Sequence, residues 1–433
     1  MLNKRSAMES DAQRFDRYVD AISDELGHAD RVAPFRAYCT GLLLPGERKS
    51  VEPLAARVGP TSVRKTHQSL HHFVSTSSWD DQAVLLRVGQ LAIPVLEARE
   101  PVRSWIVDDT GIPKKGKHSV GVAHQYCGQL GKQANCQVAV SLSIANTFAS
   151  LPIAYRLYLP QPWIDDTEKR AATGVPDNIG FATKQQISLG QIRGALAAGI
   201  PAGVITADAA YGNDTNFRDQ LSNLNLAYAV NIQGTTTVWR PEEAPLAPPP
   251  RRGRGKVPIR LQRTAEQRPI SAEVFAHELP PSAFVDITWR EGTKAPLRSR
   301  FAALRVRPAH RDTLRSAPRD HEWLLIEWPQ EEKTPTKYWL STMDESTLLR
   351  TLVETVKLRW RIERDYQELK QELGLAQYEG RGWRGFHHHA TLCIAAYGFL
   401  LIDQGGFSPS GGRRLQLAQP ALPDNFRPRG SAK

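Results

Sequence analysis

Cysteine is scarce in this chain. Its 433 residues hold four, Cys39, Cys127, Cys136 and Cys393, and no two form a Cys-x-x-Cys pair. That excludes a disulfide framework and a cysteine zinc cluster, and it suits a reducing compartment. No apolar signal core follows the first charges. The longest strongly apolar run, Ala390 to Ile402, falls short of the roughly 20 residues that span a bilayer. It reads as a buried helix, and no membrane partner is expected. Acid is also in short supply: 45 Asp plus Glu against 56 Lys plus Arg, a net charge of +11. Such an excess suits a polyanionic partner, because phosphate contacts release counterions and steer association.

Hydrophobic residues make up 41% of the chain, enough to bury a sizeable core. The length allows two or three domains of roughly 100–200 residues each. Residues 1–100 read as helical, with apolar positions Phe15, Tyr18, Val19, Ile22 and Leu26 recurring at three and four. Val51 to Val74 reads as two short helices around Gly59-Pro60, the second carrying Arg64, Lys65, His67, His71 and His72. This is the pattern of a small DNA-binding helical unit, and equally of a plain helical domain.

From residue 104 the pattern changes. Ser104 to Val107 is a short apolar run that ends in Asp108-Asp109. Gln137 to Ala145 and Leu151 to Leu159 read as strands, Lys184 to Ala198 as a helix, and Gly203 to Ala207 as a strand ending in Asp208. Asn216 to Leu221 reads as a short helix and Leu226 to Ile232 as a fifth strand. Three strands, helix, strand, helix, strand suggests hairpins followed by parallel pairing, an α/β core.

Residues 235–345 break that rhythm. Pro241 to Pro258 holds six prolines and the basic residues Arg251, Arg252 and Arg254, a loop. Strand-like segments follow at Phe284–Trp289, Ser299–Val306, Trp323–Trp328 and Lys337–Ser341. This is expected to be a β-rich insertion. A long helix is expected from about Ser346 to Leu373, with Gly374 as its stop. Residues 404–433 read as a disordered tail.

Two acids at strand ends and a third on a later helix are what two-metal phosphoryl transfer requires. Mg²⁺ prefers carboxylate oxygens and keeps several waters, and two ions about 4 Å apart serve both the attacking and the leaving oxygen. Asp108 or Asp109, Asp208 and Glu363 supply the acids. Each alone is ordinary: strand-end aspartates are usually turn or cap residues, and Glu363 with Arg359 would make a common i,i+4 ion pair. Arg359, Glu363, Tyr366 and Lys370 are spaced to share one helical face.

Local context adds a resemblance. Asp108-Asp109-Thr110-Gly111-Ile112-Pro113-Lys114-Lys115-Gly116 resembles the first-aspartate motif of bacterial insertion-sequence DDE transposases. Thr206-Ala207-Asp208-Ala209-Ala210-Tyr211-Gly212 is similar to their second-aspartate motif, and Arg359-Trp360-Arg361-Ile362-Glu363 to the segment around their catalytic glutamate. In the cut-and-paste branch that glutamate lies in a tyrosine–arginine–glutamate–lysine signature. Arg359, Glu363 and Lys370 match its last three members, while Val356 stands at the tyrosine position, a role Tyr366 could take over.

The resemblance covers residues 100–400 and implies a ribonuclease-H-like core over 101–234 and 346–403. A β-rich insertion over 235–345 would interrupt that core, and a helical DNA-binding domain over 1–100 would precede it. It implies Asp108 (with Asp109 as the alternative first acid), Asp208 and Glu363 as metal ligands for two Mg²⁺, with Mn²⁺ as a substitute. DNA contacts are expected from Lys114, Lys115, Arg251, Arg252, Arg254, Arg359 and Lys370, and from Trp239 as a base-stacking aromatic of the insertion. The implied partners are double-stranded DNA with terminal inverted repeats, target DNA, and a second copy of the chain on DNA, in the bacterial cytoplasm at the nucleoid. The rivals are a nuclease without strand transfer and a domesticated DNA-binding regulator. His387-His388-His389 is expected to start a helix or touch phosphate, since adjacent helical residues diverge too far to share one ion.

Overall fold

The computed structural model describes residues 9–248, 259–292 and 295–409. Helices α1 (Asp11–Ile22), α2 (Val32–Leu43), α3 (Val51–Val58), α4 (Val63–Ser75) and α5 (Asp81–Glu97) come first. Strands β1 (Ser104–Pro113), β2 (Ala123–Cys127), β3 (Lys132–Ala145) and β4 (Ser150–Leu157) follow, then α6 (Gln161–Asp165), α7 (Thr167–Thr173) and α8 (Lys184–Ala197). Next are β5 (Val204–Ala207), α9 (Ala209–Gly212), α10 (Thr215–Asn223), β6 (Tyr228–Ile232), β7 (Thr237–Trp239), β8 (Ile270–Ser271) and α11 (Ala272–Glu278). The chain closes with β9 (Val285–Arg290), β10 (Leu297–Pro308), β11 (Glu322–Glu327), β12 (Lys337–Ser341), α12 (Leu349–Lys357), α13 (Trp360–Gln371) and α14 (Trp383–Asp403).

The described residues fall into two compact units. The first comprises those of Met1–Val102, Asp108–Pro201 and Arg361–Lys433. Its helices start where the chain supplies caps: Ser10 and Gln13 form a capping box on α1, and Thr183 and Gln186 form another on α8. On α1 the buried residues are Phe15, Tyr18, Val19 and Ile22, the three-and-four stripe read from the sequence. The apolar run 390–402 is indeed a buried helix, α14, packed against α2, α4, α5 and β4. The helices of the first hundred residues therefore cluster with the later sheet and with α14. Strand β3 pairs antiparallel with β2 and β4 and is buried at every position from Cys136 to Ala145. A strand covered on both faces reads as a near-continuous apolar run.

The second unit comprises Arg103–Val107 and the described residues of Ala202–Trp360. Here the first half of β1 pairs parallel with β5, and β5 parallel with β6. The sheet continues antiparallel through β12, β11 and β10 to β7 and β8, with β9 on β10. Helix α12 closes a core of Ala229, Ile287, Phe301, Leu325, Trp339, Leu352, Val353 and Val356. Val356, at the tyrosine position of the signature, is thus a core residue. Lys357 of α12 donates to both oxygens of Glu327 at 2.7 Å and lies over the Trp289 ring at 4.2 Å.

The order of connections, hairpin-linked strands and then helix, strand, helix, strand, is that of the expected ribonuclease-H-like α/β core, and the β-rich insertion is present. Three features differ. Strand β1 runs on to Pro113, so Asp108 and Asp109 lie in mid-strand. The short strands β2, β7 and β8 were not anticipated. The single helix expected over 346–373 is two, α12 and α13, with a turn at Leu358 and Arg359; α13 stops before Gly374, which adopts a left-handed φ of 73°. Of the expected tail, residues 410–433 lie outside the described residues.

Candidate active site

Successive side chains on a strand point to opposite faces, and β1 separates its two acids in this way. Asp109 accepts an ion-paired hydrogen bond from Lys184 Nζ at 2.9 Å, and its charge acts on the Cys136 thiol. Gly111, two residues on, packs against Cys127: a Cβ there would lie 2.9 Å from its Sγ. The charge of Asp108 acts on Tyr366 and Lys370, both on α13, and that of Asp109 acts on Tyr366 as well. Burial raises the Tyr366 phenol well above its usual value, and Asp108 adds to the rise. Tyr366 is buried, and its hydroxyl hydrogen-bonds Ser141 Oγ of β3. Within the first unit both acids act on the helix carrying Glu363, Asp108 on two of its residues and Asp109 on one, and Asp109 is also engaged by Lys184.

Glu363 is exposed near the start of α13. Lys370, two turns along, is not a solvated cation. Its Nζ donates to the Gly111 carbonyl at 2.9 Å and to Gln129 Oε1 at 3.2 Å. Burial lowers its pKa, with Cys127 and Asp108 pulling the other way. Arg359 sits in the turn before α13 and belongs to the second unit, so the face expected to run from Arg359 to Lys370 is broken at its first member.

Asp208 lies in the second unit. It caps α9, its Oδ1 accepting from the Ala210 N–H at 2.9 Å and from the Tyr211 N–H at 3.4 Å. Tyr211 is fully buried, and a Cβ on Gly212 would lie 1.9 Å from the Asn231 carbonyl oxygen of β6. The Asp-Ala-Ala-Tyr-Gly motif is therefore a cassette: cap, buried anchor, close approach. In the parallel pair the register is Ser104↔Val204, Trp105↔Ile205 and Ile106↔Thr206.

The donor set, three carboxylates, fits a hard divalent cation by its chemistry. Among the described residues, no three His, Cys, Asp or Glu side chains gather closely enough to hold a metal ion.

Other expected contacts are placed differently. Trp239 is fully buried, and its Nε1 donates to Asp312 Oδ2 at 2.7 Å, so it is a core residue and not an exposed stacking platform. Lys114 directs its ammonium to the Tyr378 carbonyl at 2.9 Å, whereas Lys115 is exposed. Arg251, Arg252 and Arg254 lie outside the described residues. The histidines 387–389 are all buried in α14, one turn after it begins at Trp383, and each lies within hydrogen-bond distance of backbone groups. Sequence reasoning missed Lys184 and also Asp365, which is buried and accepts from Ser150 Oγ at 2.5 Å and Tyr397 OH at 2.9 Å. Burial raises the Asp365 carboxyl to about 7. No local signal marks either residue, because their partners are distant in sequence.

The family model described as DDE superfamily endonuclease matches residues 21–296, more than half of the chain. A probable transposase for insertion sequence element IS701 from Microchaete diplosiphon is 30% identical over 200 residues, 46% of this chain and 48% of that protein. The chain thus spans about half the length of that curated relative. A cryo-EM structure of a piggyBac transposase synaptic complex with hairpin DNA aligns over 98% of this chain and 89% of that one, at 11% identity and a TM-score of 0.37. So distant a likeness places no constraint on function. Among the described residues, no helix is long and apolar enough to cross a membrane.

Proposed function

Since the chain belongs to the DDE superfamily endonucleases, we propose that it is a DNA transposase that binds terminal inverted repeats, cleaves the phosphodiester backbone and joins the freed 3′-hydroxyl to target DNA. In this reading Asp108, Asp208 and Glu363 hold two Mg²⁺ ions, with Mn²⁺ as a substitute. The metals, when bound, activate the attacking oxygen and offset charge on the leaving one. Support for these acids comes from their three sequence motifs and, inside the first unit, from the charge of Asp108 acting on Tyr366 and Lys370 of the helix that bears Glu363.

The chain's own residues hold this machinery in place. Lys184 engages Asp109, and Asp108 serves as the first acid. Tyr366 and Lys370 fasten α13 to Ser141 of β3 and Gly111 of β1. Lys115 and Arg359 face phosphates. DNA binding begins in the first hundred residues: α3 and α4 are joined by a four-residue turn containing Gly59, and α4 carries exposed Arg64, Lys65, His71 and His72 with no acid among its residues. Two copies meet on DNA, and the DNA substrate places the work at the bacterial nucleoid.

The test is cleavage and joining on duplexes bearing the inverted repeats that flank the gene, with and without Mg²⁺. Asp208→Asn is the informative variant, because asparagine caps a helix about as well as aspartate yet carries no charge for a metal. It should fold and bind DNA but neither cut nor join. Cutting without joining by the wild type would reduce the enzyme to a nuclease. Cutting at the wild-type rate by Asp208→Asn or Glu363→Gln would remove that residue from the site.

A further inference from the structure

The insertion carries an arginine-rich turn that no motif of the sequence singled out. Strand β10 ends at Pro308, and after Ala309 come His310, Arg311, Asp312, Thr313, Leu314 and Arg315. The turn is built on the buried Trp239. Asp312, 1% exposed, accepts from Trp239 Nε1 at 2.7 Å through one oxygen and from Arg263 Nη2 at 2.5 Å through the other. Arg263 also donates to the Ala309 carbonyl at 2.7 Å, and its guanidinium lies 5.8 Å from the Trp239 ring centre. The Ala309 N–H reaches the Thr237 carbonyl of β7, and the Leu261 N–H reaches the Arg315 carbonyl. Within this frame Arg311 has a φ of 57°, a left-handed conformation rare for a residue with a side chain. Such strain persists only where the surroundings over-determine it, and it concentrates at functional sites.

The charge there is one-sided. The only acid from His310 to Arg319 is Asp312, which is buried and engaged by Trp239 and Arg263. Arg319 is paired with Asp219. His310, Arg311 and Arg315 are exposed, and among the described residues none of them makes an ion pair. Beyond burial, the groups that hold the His310 imidazole below its usual pKa are all cations: Arg311, Arg218, Arg319 and Arg263. A turn braced in this way and carrying this surplus is complementary to a polyanion.

We propose that the Trp239–Asp312–Arg263 brace presents His310, Arg311 and Arg315 to the phosphate backbone of duplex DNA, a contact that positions the substrate without reading its sequence. The inference rests on the DNA-acting reading above, but it assigns a different surface.

It is tested by fluorescence anisotropy of a labelled duplex of arbitrary sequence over a range of salt. Arg311→Gly keeps the left-handed turn, which glycine adopts freely, while removing the charge. Each lost phosphate contact should lower the slope of log affinity against log salt by about 0.9. Arg311→Gly combined with Arg315→Ala should therefore lose roughly two contacts in slope and weaken binding about tenfold or more at low salt. Arg311→Lys should retain most of the slope. An unchanged slope in the double variant would overturn the inference while leaving the DNA-acting reading intact, and so would equal losses in Arg311→Lys and Arg311→Gly. A wild-type protein that bound no duplex would remove that reading as well.

Discussion

Lys370 of α13 is tied to Gly111 of β1: its ammonium donates to the Gly111 carbonyl at 2.9 Å. Gly111 stands three residues after Asp108, and Lys370 seven after Glu363. The bond joins the strand of one proposed metal ligand to the helix of another, inside the first unit. With Gln129 as a second acceptor, two of the three ammonium protons are already engaged, leaving at most one for a phosphate.

Lys370→Ala should accordingly act on folding as well as on catalysis. It removes a charge-assisted hydrogen bond and strands a backbone carbonyl, a loss of about 1–2 kcal/mol after allowing for partial exposure. Thermal melting should fall by several degrees, cleavage should drop severely, and DNA affinity should change little. A variant that melts like the wild type yet loses phosphate-dependent binding would restore the simpler view of Lys370 as a solvated phosphate contact.

The division of labour on β1 makes a second expectation. Asp109 and Lys184 form one ion pair, partly exposed on both sides, so it contributes at most about 1 kcal/mol. Asp109→Asn and Lys184→Ala should each cause a modest loss of cleavage, and the double variant should be no worse than either single one, since both remove the same interaction. Asp108→Asn should abolish cleavage. Abolition by Asp109→Asn, with Asp108→Asn mild, would exchange the two roles.

What was legible in the sequence was local and periodic. The strand at 137–145 follows from its alternation of apolar and small polar residues, and the buried helix at 390–402 from an unbroken apolar run too short to span a bilayer. The three proposed acids stand out in the sequence because each sits in a motif of its own. What escaped depends on distant partners. Trp239 looked like a platform because its acceptor, Asp312, is 73 residues away; Lys370 looked available for a DNA contact because Gly111 is 259 residues away. The break between α12 and α13 carries no glycine or proline, so nothing in Leu358-Arg359 announced it. Lys357, fixed by Glu327 and Trp289 in the second unit, and Tyr366, fixed by Ser141 in the first, anchor the two helices on either side of that break.

The buried histidines of α14 predict how the protein responds to acid. His389 Nε2 lies 2.9 Å from the Gly374 carbonyl, and Nδ1 lies 2.9 Å from the Tyr38 hydroxyl. A neutral ring satisfies both: Nε2–H donates to the carbonyl, and Nδ1 accepts from the phenol. Burial lowers the folded pKa to about 4, against 6.5 for an ordinary histidine. A base with a depressed folded pKa takes up its proton more readily when unfolded. Between those values the unfolded chain binds more protons, so stability falls as pH drops from about 6.5 to about 4 and levels off below. The full span corresponds to about 3 kcal/mol for this one side chain. His389→Gln offers an amide N–H to Gly374 and an amide oxygen to Tyr38, and it does not titrate. Urea unfolding at about pH 7 and about pH 4.5 should show the wild type losing more stability than His389→Gln, the difference arising from this residue because His387 and His388 remain in both. Parallel losses in the two proteins would mean that His389 is protonated in the folded state at the lower pH, and that its contacts tolerate the charge.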